Sequence, residues 1–255
     1  MSGAANNPYF GDTLDQDTLL RIMTAPNDGA HNAIYRGKYL GESVTEAQYA
    51  AIDAGTFDDL YIGDYWTIDG VNYRIGAFNY FLHTGDIECT TNHVLLVPDT
   101  CLYKSAMNST NTTDGGYVGS AMRKRNLEKA KSTIKKAFGT AHILTKREIL
   151  VNAVISNGTP SNWSWLDSDV ELMSEVQVYG SIAWCALNGN GRNVGCGISQ
   201  LPLFMFDSTK LHNREDYWLR DVFPNNGFAR VSDTGYAGFG SASDSRGVRP
   251  AFCIY

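Results

Sequence analysis

The chain has 255 residues, of which 43% are hydrophobic, 19% are charged and 12% are aromatic. This length and apolar content allow one large domain or two small ones and exclude global intrinsic disorder. The formal net charge of −6 argues against general attraction to phosphate backbones, so we expect no nucleic-acid partner.

The start of the chain is loosely patterned and rich in turn signals. Residues 1–57 are predicted to form an N-terminal arm with short helices, a candidate attachment or oligomerisation segment. A first short helix is predicted from Leu14 to Met23. A second is predicted to begin at Ser43, which forms a capping-box pattern with Glu46, and to end near Gly55.

A β-hairpin is predicted next. The segments 60–68 and 71–81 are rich in aromatic and β-branched residues and meet at Asp69-Gly70, which suits a two-residue type I′ turn. A further strand is predicted from His93 to Val97, ending at Pro98.

The middle of the chain is predicted to be mainly helical. Apolar residues recur at helical spacing from Leu127 to Phe138, and Gly139 ends this helix. The basic run 123–136 is interpreted as its polar face rather than a binding patch. Capping-box patterns predict two more helices, one from Thr145 to about Gly158 and one from Ser168 to Gly180.

The last third is predicted to contain short strands separated by glycine-rich loops, at residues 182–187, 203–206, 217–222, 228–231 and 248–254. Strands early and late with helices between them favour an α+β fold whose two ends pair in one antiparallel sheet.

No familiar catalytic or metal-binding pattern is present in the sequence. The five histidines are scattered, which favours surface or capping roles, and Asp167 and Asp169 suit a helix N-terminus. The five cysteines form no CxxC pair, no stretch approaches the ~18 apolar residues of a membrane span, and residues 1–10 do not resemble a signal peptide. We therefore expect no enzyme activity, no catalytic residue, no metal, no cofactor and no membrane insertion.

The C-terminal segment carries the most specific signal. Two firmly patterned stretches, Trp218-Leu219-Arg220-Asp221-Val222 and Gly247-Val248-Arg249-Pro250-Ala251-Phe252, enclose a polar, turn-rich stretch in which aromatics and arginines stand singly among small residues. That composition is typical of adaptable binding surfaces, since aromatics supply contact area and small polar residues supply hydrogen bonds.

These two stretches resemble the variable proteins of diversity-generating retroelements. The resemblance is strongest over 217–254, and the part from about Asp58 is similar to structural proteins of tailed phages of gut bacteria. It implies a C-type lectin-like fold over residues 58–255, with a variable ligand-binding region at about 217–255. In that family an error-prone reverse transcriptase randomises template adenines, so that asparagine codons come to encode many residues.

The codon mechanism can be checked within this one sequence. Randomising both adenines of AAC never yields Lys, Glu, Gln, Met or Trp, and all five are absent from residues 223–255. These five types make up 32 of the 255 residues, so about four would be expected in that stretch. Their absence supports the resemblance.

The resemblance divides the C-terminal segment into scaffold and contact positions. The scaffold would consist of Trp218, Leu219, Val222, Phe228, Val231, Val248 and Phe252, with Arg249-Pro250 setting the final strand. The candidate diversified, ligand-contacting positions are Phe223, Asn226, Gly227, Arg230, Ser232, Asp233, Thr234, Tyr236, Gly238, Phe239, Gly240, Ser241, Asp244 and Arg246.

The resemblance implies a non-enzymatic phage virion protein, made in the bacterial cytoplasm, that acts as a tail-tip or fibre receptor-binding protein. Its expected partners are a bacterial cell-surface protein or glycan, other virion proteins, and copies of itself in a homo-oligomer, with a trimer favoured. The alternative is a virion structural or head or tail decoration protein with no receptor role.

Two related activities are less well matched. The calcium-binding motifs of sugar-binding C-type lectins are absent, since Pro224-Asn225-Asn226 only partly resembles them, so the resemblance implies no calcium-dependent sugar binding. An enzyme of formylglycine-generating type would need a cysteine pair, for which Cys196 and Cys253 are the candidates.

Overall fold

Two β-sheets and one separate hairpin organise the protein in a computed structural model that describes residues 27–182, 199–224 and 227–255. The six-stranded sheet contains, in spatial order, β1 (Tyr39–Gly41), β2 (Tyr65–Ile68), β3 (Val71–Phe78), β4 (Val94–Pro98), β13 (Pro250–Ile254) and β8 (Val170–Leu172). The five-stranded sheet contains β11 (Ala237–Ser241), β10 (Gly227–Val231), β9 (Tyr217–Phe223), β12 (Arg246–Val248) and β5 (Tyr103–Ser105). The hairpin consists of β6 (Lys146–Val154) and β7 (Pro160–Ser168).

Helices are few and mostly short within the described residues. They are α1 (Asp28–Asn32), α2 (Glu46–Asp53), α3 (Gly116–Gly119), a π-helical turn (Met122–Asn126), α4 (Glu128–Phe138), α5 (Glu175–Tyr179) and α6 (Pro202–Phe206). The fold is therefore mixed α and β with more strand than helix, which agrees with the α+β prediction.

The prediction that the two ends of the chain pair in one antiparallel sheet is confirmed only in part, because the late strands are divided between two sheets and β1 pairs with β2 in parallel. Strand β13 lies between β4 and β8 and is antiparallel to both. Strands β12 and β13 belong to different sheets and are separated only by Arg249, which is buried. Its guanidinium donates to the carbonyls of Pro98, Lys210 and Leu211 at 2.8 to 3.0 Å. This side chain fixes the point where the chain passes from one sheet to the other.

Two local predictions are confirmed in detail. Strands β2 and β3 meet at Asp69 (φ 49°) and Gly70 (φ 78°), the two positive φ values of a type I′ turn. Helix α4 buries Ala130, Ile134 and Phe138 on one face. It ends at Gly139, as the sequence predicts.

The five-stranded sheet separates two apolar clusters. Tyr217 and Leu219 on β9 face the main core. Trp218 and Val222 point the other way into a smaller core that includes Leu150 of β6. Successive side chains of β9 therefore point to opposite faces of the sheet and pack into different clusters.

The predicted helix from Thr145 to Gly158 is wrong, because this segment is the hairpin β6–β7. Burial alternates along its first half, with Lys146, Glu148 and Leu150 buried and the residues between them less so. A four-residue capping pattern occurs readily by chance, whereas this period of two identifies a strand. The middle of the chain is consequently not mainly helical.

Other boundaries also move. Helix α2 is capped by Thr45 with Gln48, and α5 by Ser174 with Gln177, so the caps predicted at Ser43 and Ser168 are wrong. Asp167 and Asp169 accordingly lie at the end of β7 and just after it rather than at a helix start.

Residues 203–206 form most of α6 instead of a strand. Pro202 occupies the first helical turn, where its lack of an N–H group is tolerated. Strand β11 lies in a stretch predicted to be a loop. The prediction missed this strand because its sequence, Ala-Gly-Phe-Gly-Ser, has low strand propensity.

Of residues 1–57, which are predicted to form an N-terminal arm, the structure describes residues 27–57. Residues 27–57 supply strand β1, which pairs in parallel with β2, and they contribute Ile52 and Phe57 to the main core. The helix predicted from Leu14 to Met23 and nearly all of the strand predicted at 182–187 lie outside the described residues.

Candidate ligand-binding surface

Strands β9, β10 and β11 form the frame of the candidate surface. They pair antiparallel in the order β9–β10–β11, with a bulge between Phe228 and Arg230. All the predicted scaffold positions are buried, namely Trp218, Leu219, Val222, Phe228, Val231, Val248 and Phe252. A side chain next to them is therefore presented from a packed support.

Five of the candidate positions are exposed: Asp233, Thr234, Tyr236, Phe239 and Ser241. The first three lie on the connection between β10 and β11, and the other two alternate with buried glycines along β11. The rings of Tyr236 and Phe239 are 60% and 46% exposed, although large aromatic side chains are usually well covered. They provide apolar contact area on this edge of the sheet.

Arg230 and Arg246 are half-buried and converge on one carboxylate, that of Asp216. Arg246 Nη1 donates to Asp216 Oδ2, and Arg230 Nη1 lies 3.1 Å from the same oxygen. The other oxygen of Asp216 accepts the backbone N–H of Asp233 at 2.9 Å. A second acid, Asp244, pairs with Arg246 at 2.8 Å.

Asp216 is a residue that the sequence analysis missed. It stands one residue before β9, outside the predicted variable stretch, yet it joins a candidate position on β10, one in the turn and one on β12. The available signal was the presence of two isolated arginines in a segment with few acids, since half-buried arginines need a carboxylate partner.

The aromatic end of the surface is formed by Phe223 and Phe239. Their rings stack almost in parallel, with centroids 3.9 Å apart and an interplanar angle of 9°. Phe223 lies at the end of β9 and Phe239 lies on β11, so this stack bridges the two strands across β10. Apolar contact area is thus available beside the start of β11, at Tyr236, and at its middle, at Phe239.

Four candidate positions are buried: Gly227, Ser232, Gly238 and Gly240. The hydroxyl of Ser232 accepts the N–H groups of Thr234 and Tyr236 at 3.3 and 3.1 Å and so shapes the turn. A Cβ on Gly240 would lie 2.6 Å from Nε of Arg246 and 2.9 Å from the Trp218 ring. These four positions therefore lie within the packed support of the surface. The remaining candidate, Asn226, lies outside the described residues.

A cleft of about 570 Å³ opens beside the turn. Four candidate positions line it, namely Arg230, Asp233, Tyr236 and Arg246, together with residues that the sequence analysis did not single out: Lys104, Arg214, Glu215, Asp216 and Ser245. Both charge signs are present and most charges are already paired. The cleft thus offers directional hydrogen bonds rather than a uniform field.

The turn is also anchored from below. The hydroxyl of Tyr179 on α5 donates to the carbonyl of Gly235 at 3.2 Å. Burial raises the pKa of Tyr179 far above its ordinary value, so the hydroxyl remains a donor at neutral pH. This contact fixes the base of the turn that carries Tyr236.

Beneath β9 lies a buried charge network. Glu148 on β6 accepts from Arg220 at 2.6 Å, and Lys146 Nζ lies 3.2 Å from its other oxygen. Burial by itself raises the pKa of Glu148, but the charges of Arg220 and Lys146 outweigh this effect and hold the pKa well below its ordinary value. The arginine of the Trp-Leu-Arg-Asp-Val stretch thus binds the hairpin to the sheet.

His31, His93 and Cys253 lie away from the candidate surface, in the buried interior. His31 and His93 are buried, contrary to the predicted surface or capping roles, and His93 Nε2 accepts the N–H of Phe81 at 3.0 Å. Burial raises the pKa of Cys253 to about 12, which removes the thiolate character that reactive cysteines require. Cys196, the other cysteine named for a formylglycine-generating activity, lies outside the described residues.

The described ranges contain neither a metal-binding cluster nor a membrane-spanning helix. Residues 27–182, 199–224 and 227–255 contain no group of three His, Cys, Asp or Glu residues placed to hold a metal ion. Over those same ranges, no helix has the length and apolar character needed to cross a bilayer.

Comparison with known proteins finds no matching family model, no similar curated protein and no similar solved structure. The candidate ligand-binding surface is therefore the basis for assigning a function. The arrangement consists of exposed aromatic rings, a hydroxyl-bearing turn and an arginine–aspartate cluster on a buried frame. It is suited to binding by contact area and hydrogen bonds.

Proposed function

We propose that this protein is a phage virion receptor-binding protein that displays a retroelement-diversified surface on a C-type lectin-like fold. The observation that carries the proposal is the separation of roles along residues 217–252. The scaffold positions are buried, while Asp233, Thr234, Tyr236, Phe239 and Ser241 are exposed together on β11 and its turn. A protein that must vary its contacts without unfolding needs this separation.

The proposal also accounts for the chemistry of the surface. Aromatic rings bury much area with little loss of side-chain entropy, and Ser and Thr hydroxyls adapt to different hydrogen-bond partners. A modest surface of this kind binds one receptor copy weakly. Display of several copies on a virion, in a homo-oligomer, multiplies that affinity.

A genomic test addresses diversification. The encoding genome should contain a reverse transcriptase and a near-copy of the 3′ end of the gene that differs only at template adenines. Sibling sequences should vary at Tyr236 and Phe239 and remain constant at Trp218. A genome without both elements would overturn the diversification claim.

A binding test addresses receptor recognition. The double variant Tyr236→Ala/Phe239→Ala should bind host cells about tenfold or more weakly, because both exposed rings would be lost. The matched control is Tyr39→Ala, whose ring is 48% exposed on β1, outside the candidate surface. It should bind as the wild type does. Equal binding by all three proteins would favour the alternative, a structural or decoration protein whose variability is incidental.

A further inference from the structure

A second cleft, of about 280 Å³, lies between the loop that follows β5 and the π-helical turn. One wall consists of the hydroxyl-bearing residues Ser109, Thr110 and Thr112, and the other carries Lys124 and Arg125. Asp114 is the one acidic residue lining it, so the lining has a net positive charge. The sequence prediction assigned no function to this loop.

The members of the basic run 123–136 differ in whether their side chains have a partner. Most of its members have partners: Arg123 pairs with Glu171, Lys131 and Lys135 pair with Asp169, Lys136 pairs with Asp69, and Lys129 lies over the Tyr103 ring. These contacts agree with the interpretation of the run as a helix face. The side chains of Lys124 and Arg125 are exposed and form no ion pair within the described part of the chain.

The backbone beneath these two cationic side chains is held in a defined conformation. The N–H of Leu127 donates to the carbonyl of Met122, which gives the π-helical register. Asn126 donates to the carbonyl of Ala106 at 2.9 Å, and its own carbonyl accepts from the Tyr103 hydroxyl at 2.6 Å. Such π-helical turns occur frequently at functional sites.

The opposite wall is ordered as well. Asn108 donates to the carbonyl of Thr112 at 2.6 Å and accepts the N–H of Ala121 at 2.7 Å, which ties the loop to the start of the π-helical turn. The loop and the backbone that carries Lys124 and Arg125 are therefore fixed relative to each other before any ligand binds. Binding has to order the two exposed cationic side chains but not the backbone beneath them.

From these contacts we infer that the cleft is a binding site for an acidic polysaccharide, with Lys124 and Arg125 holding a carboxylate, sulfate or phosphate group and the loop hydroxyls holding sugar hydroxyls. Arginine and lysine suit such oxyanions because they donate charge-assisted hydrogen bonds. The net charge of −6 works against general attraction of a polyanion, so binding has to come from a local site.

The cleft adjoins the diversified surface without depending on it. The N–H of Asn108 donates to the carbonyl of Ala242 at 2.8 Å, and Asn111 accepts the N–H of Ala242 at 3.0 Å. Ala242 directly follows β11. A polysaccharide in the cleft therefore passes close to Ser241, where the exposed candidate positions end.

The test measures binding of the full chain to defined polymers by calorimetry. Dextran sulfate tests the sulfate group, polygalacturonate tests the carboxylate group and dextran phosphate tests the phosphate group. Unmodified dextran is the neutral control. The wild type should bind at least one acidic polymer and should not bind dextran. Lys124→Gln/Arg125→Gln should weaken that binding by about tenfold or more, because two charge-assisted contacts are lost.

The matched control is Lys129→Gln/Lys136→Gln, which removes the same charge from exposed positions of the same basic run. It should bind as the wild type does. Equal loss in both double variants would show general charge attraction and overturn the site. The inference would also fail if none of the acidic polymers binds, or if a single-stranded oligonucleotide binds as tightly as they do. Unchanged melting temperatures would exclude misfolding as the cause.

Discussion

Single residues of the candidate surface differ in the space that their surroundings leave for a side chain. Tyr236 projects into solvent, so many side chains fit there. Gly240 instead lies under Arg246 and against the buried ring of Trp218. Exposure therefore divides positions that a sequence pattern alone treats as equivalent.

The variant Gly240→Ala should lower the free energy of unfolding by about 1–3 kcal/mol, because its Cβ would approach Trp218 to 2.9 Å. Urea denaturation measures this change. The control is Gly29→Ala on α1, where no atom lies within 4 Å of the added Cβ, and it should be neutral or slightly stabilising. A neutral Gly240→Ala would mean that the sheet relaxes and that this position is free to vary.

His93 should make stability depend on pH. Burial lowers its pKa from 6.5 to about 4, because the charged ring is poorly solvated in the core and lies near the charge of Lys146. The neutral ring is also the form whose Nε2 accepts the Phe81 N–H. Above pH 6.5 the ring is neutral in both the folded and the unfolded chain. Below it the unfolded chain gains the proton first, so folding is disfavoured by up to about 3 kcal/mol as the pH falls to 4.

The control for this pH dependence is His93→Gln, which retains an acceptor for Phe81 but does not titrate. Urea denaturation between pH 4 and 7 should show the wild type losing about 3 kcal/mol more than the variant. If the two proteins lose stability in parallel, His93 is not the group responsible.

Among the elements, the hairpin β6–β7 packs against both apolar clusters, with Ile149 and Trp165 against the main core. Leu150 packs into the smaller core, and Glu148 accepts from Arg220 on β9. The hairpin thereby supports the strand from which the candidate surface continues. Its attachment is electrostatic as well as apolar.

The variant Glu148→Gln should destabilise the protein by about 3–5 kcal/mol, since Lys146 and Arg220 would remain buried without their shared anion. The matched acid-to-amide control is Asp69→Asn, in the pair with Lys136 where both side chains are exposed, and it should change stability by less than about 1 kcal/mol. Chemical denaturation gives both values. Similar effects for the two variants would show that the buried network contributes no more than a surface pair.

For the molecule as a whole, the last strand is a central element. Strand β13 occupies an interior place in the six-stranded sheet, and all its residues are buried. The candidate variable segment therefore lies between two buried strands, β9 and β13.

A chain that ends at Arg249 should fail to fold, because β4 and β8 would lose their common partner. The control lacks only Tyr255, which is 36% exposed, and should retain a cooperative thermal transition with a small loss of stability. Thermal melts followed by near-UV circular dichroism distinguish the two. A cooperative melt of the shorter chain would show that β13 is dispensable.

The sequence alone determined the features that depend on neighbours along the chain. The Asp69-Gly70 turn, helix α4 with Gly139, and strand β9 follow from turn chemistry and hydrophobic period. It also indicated which residues of the C-terminal segment are buried, since Trp218, Val222 and Phe252 belong to regular apolar patterns. Diversification itself stays a prediction, motivated by the absence of Lys, Glu, Gln, Met and Trp from residues 223–255.

Only the tertiary structure decided the features that join distant segments. Glu148 stands three residues after Thr145 and so completes the capping-box pattern that predicts a helix there. In the fold it is instead the buried partner of Arg220. Asp216 gained its role from the convergence of Arg230 and Arg246, which lie on different strands. The physical reason is that burial and charge pairing depend on distance in space. Local sequence constrains backbone conformation but does not specify which side chains meet.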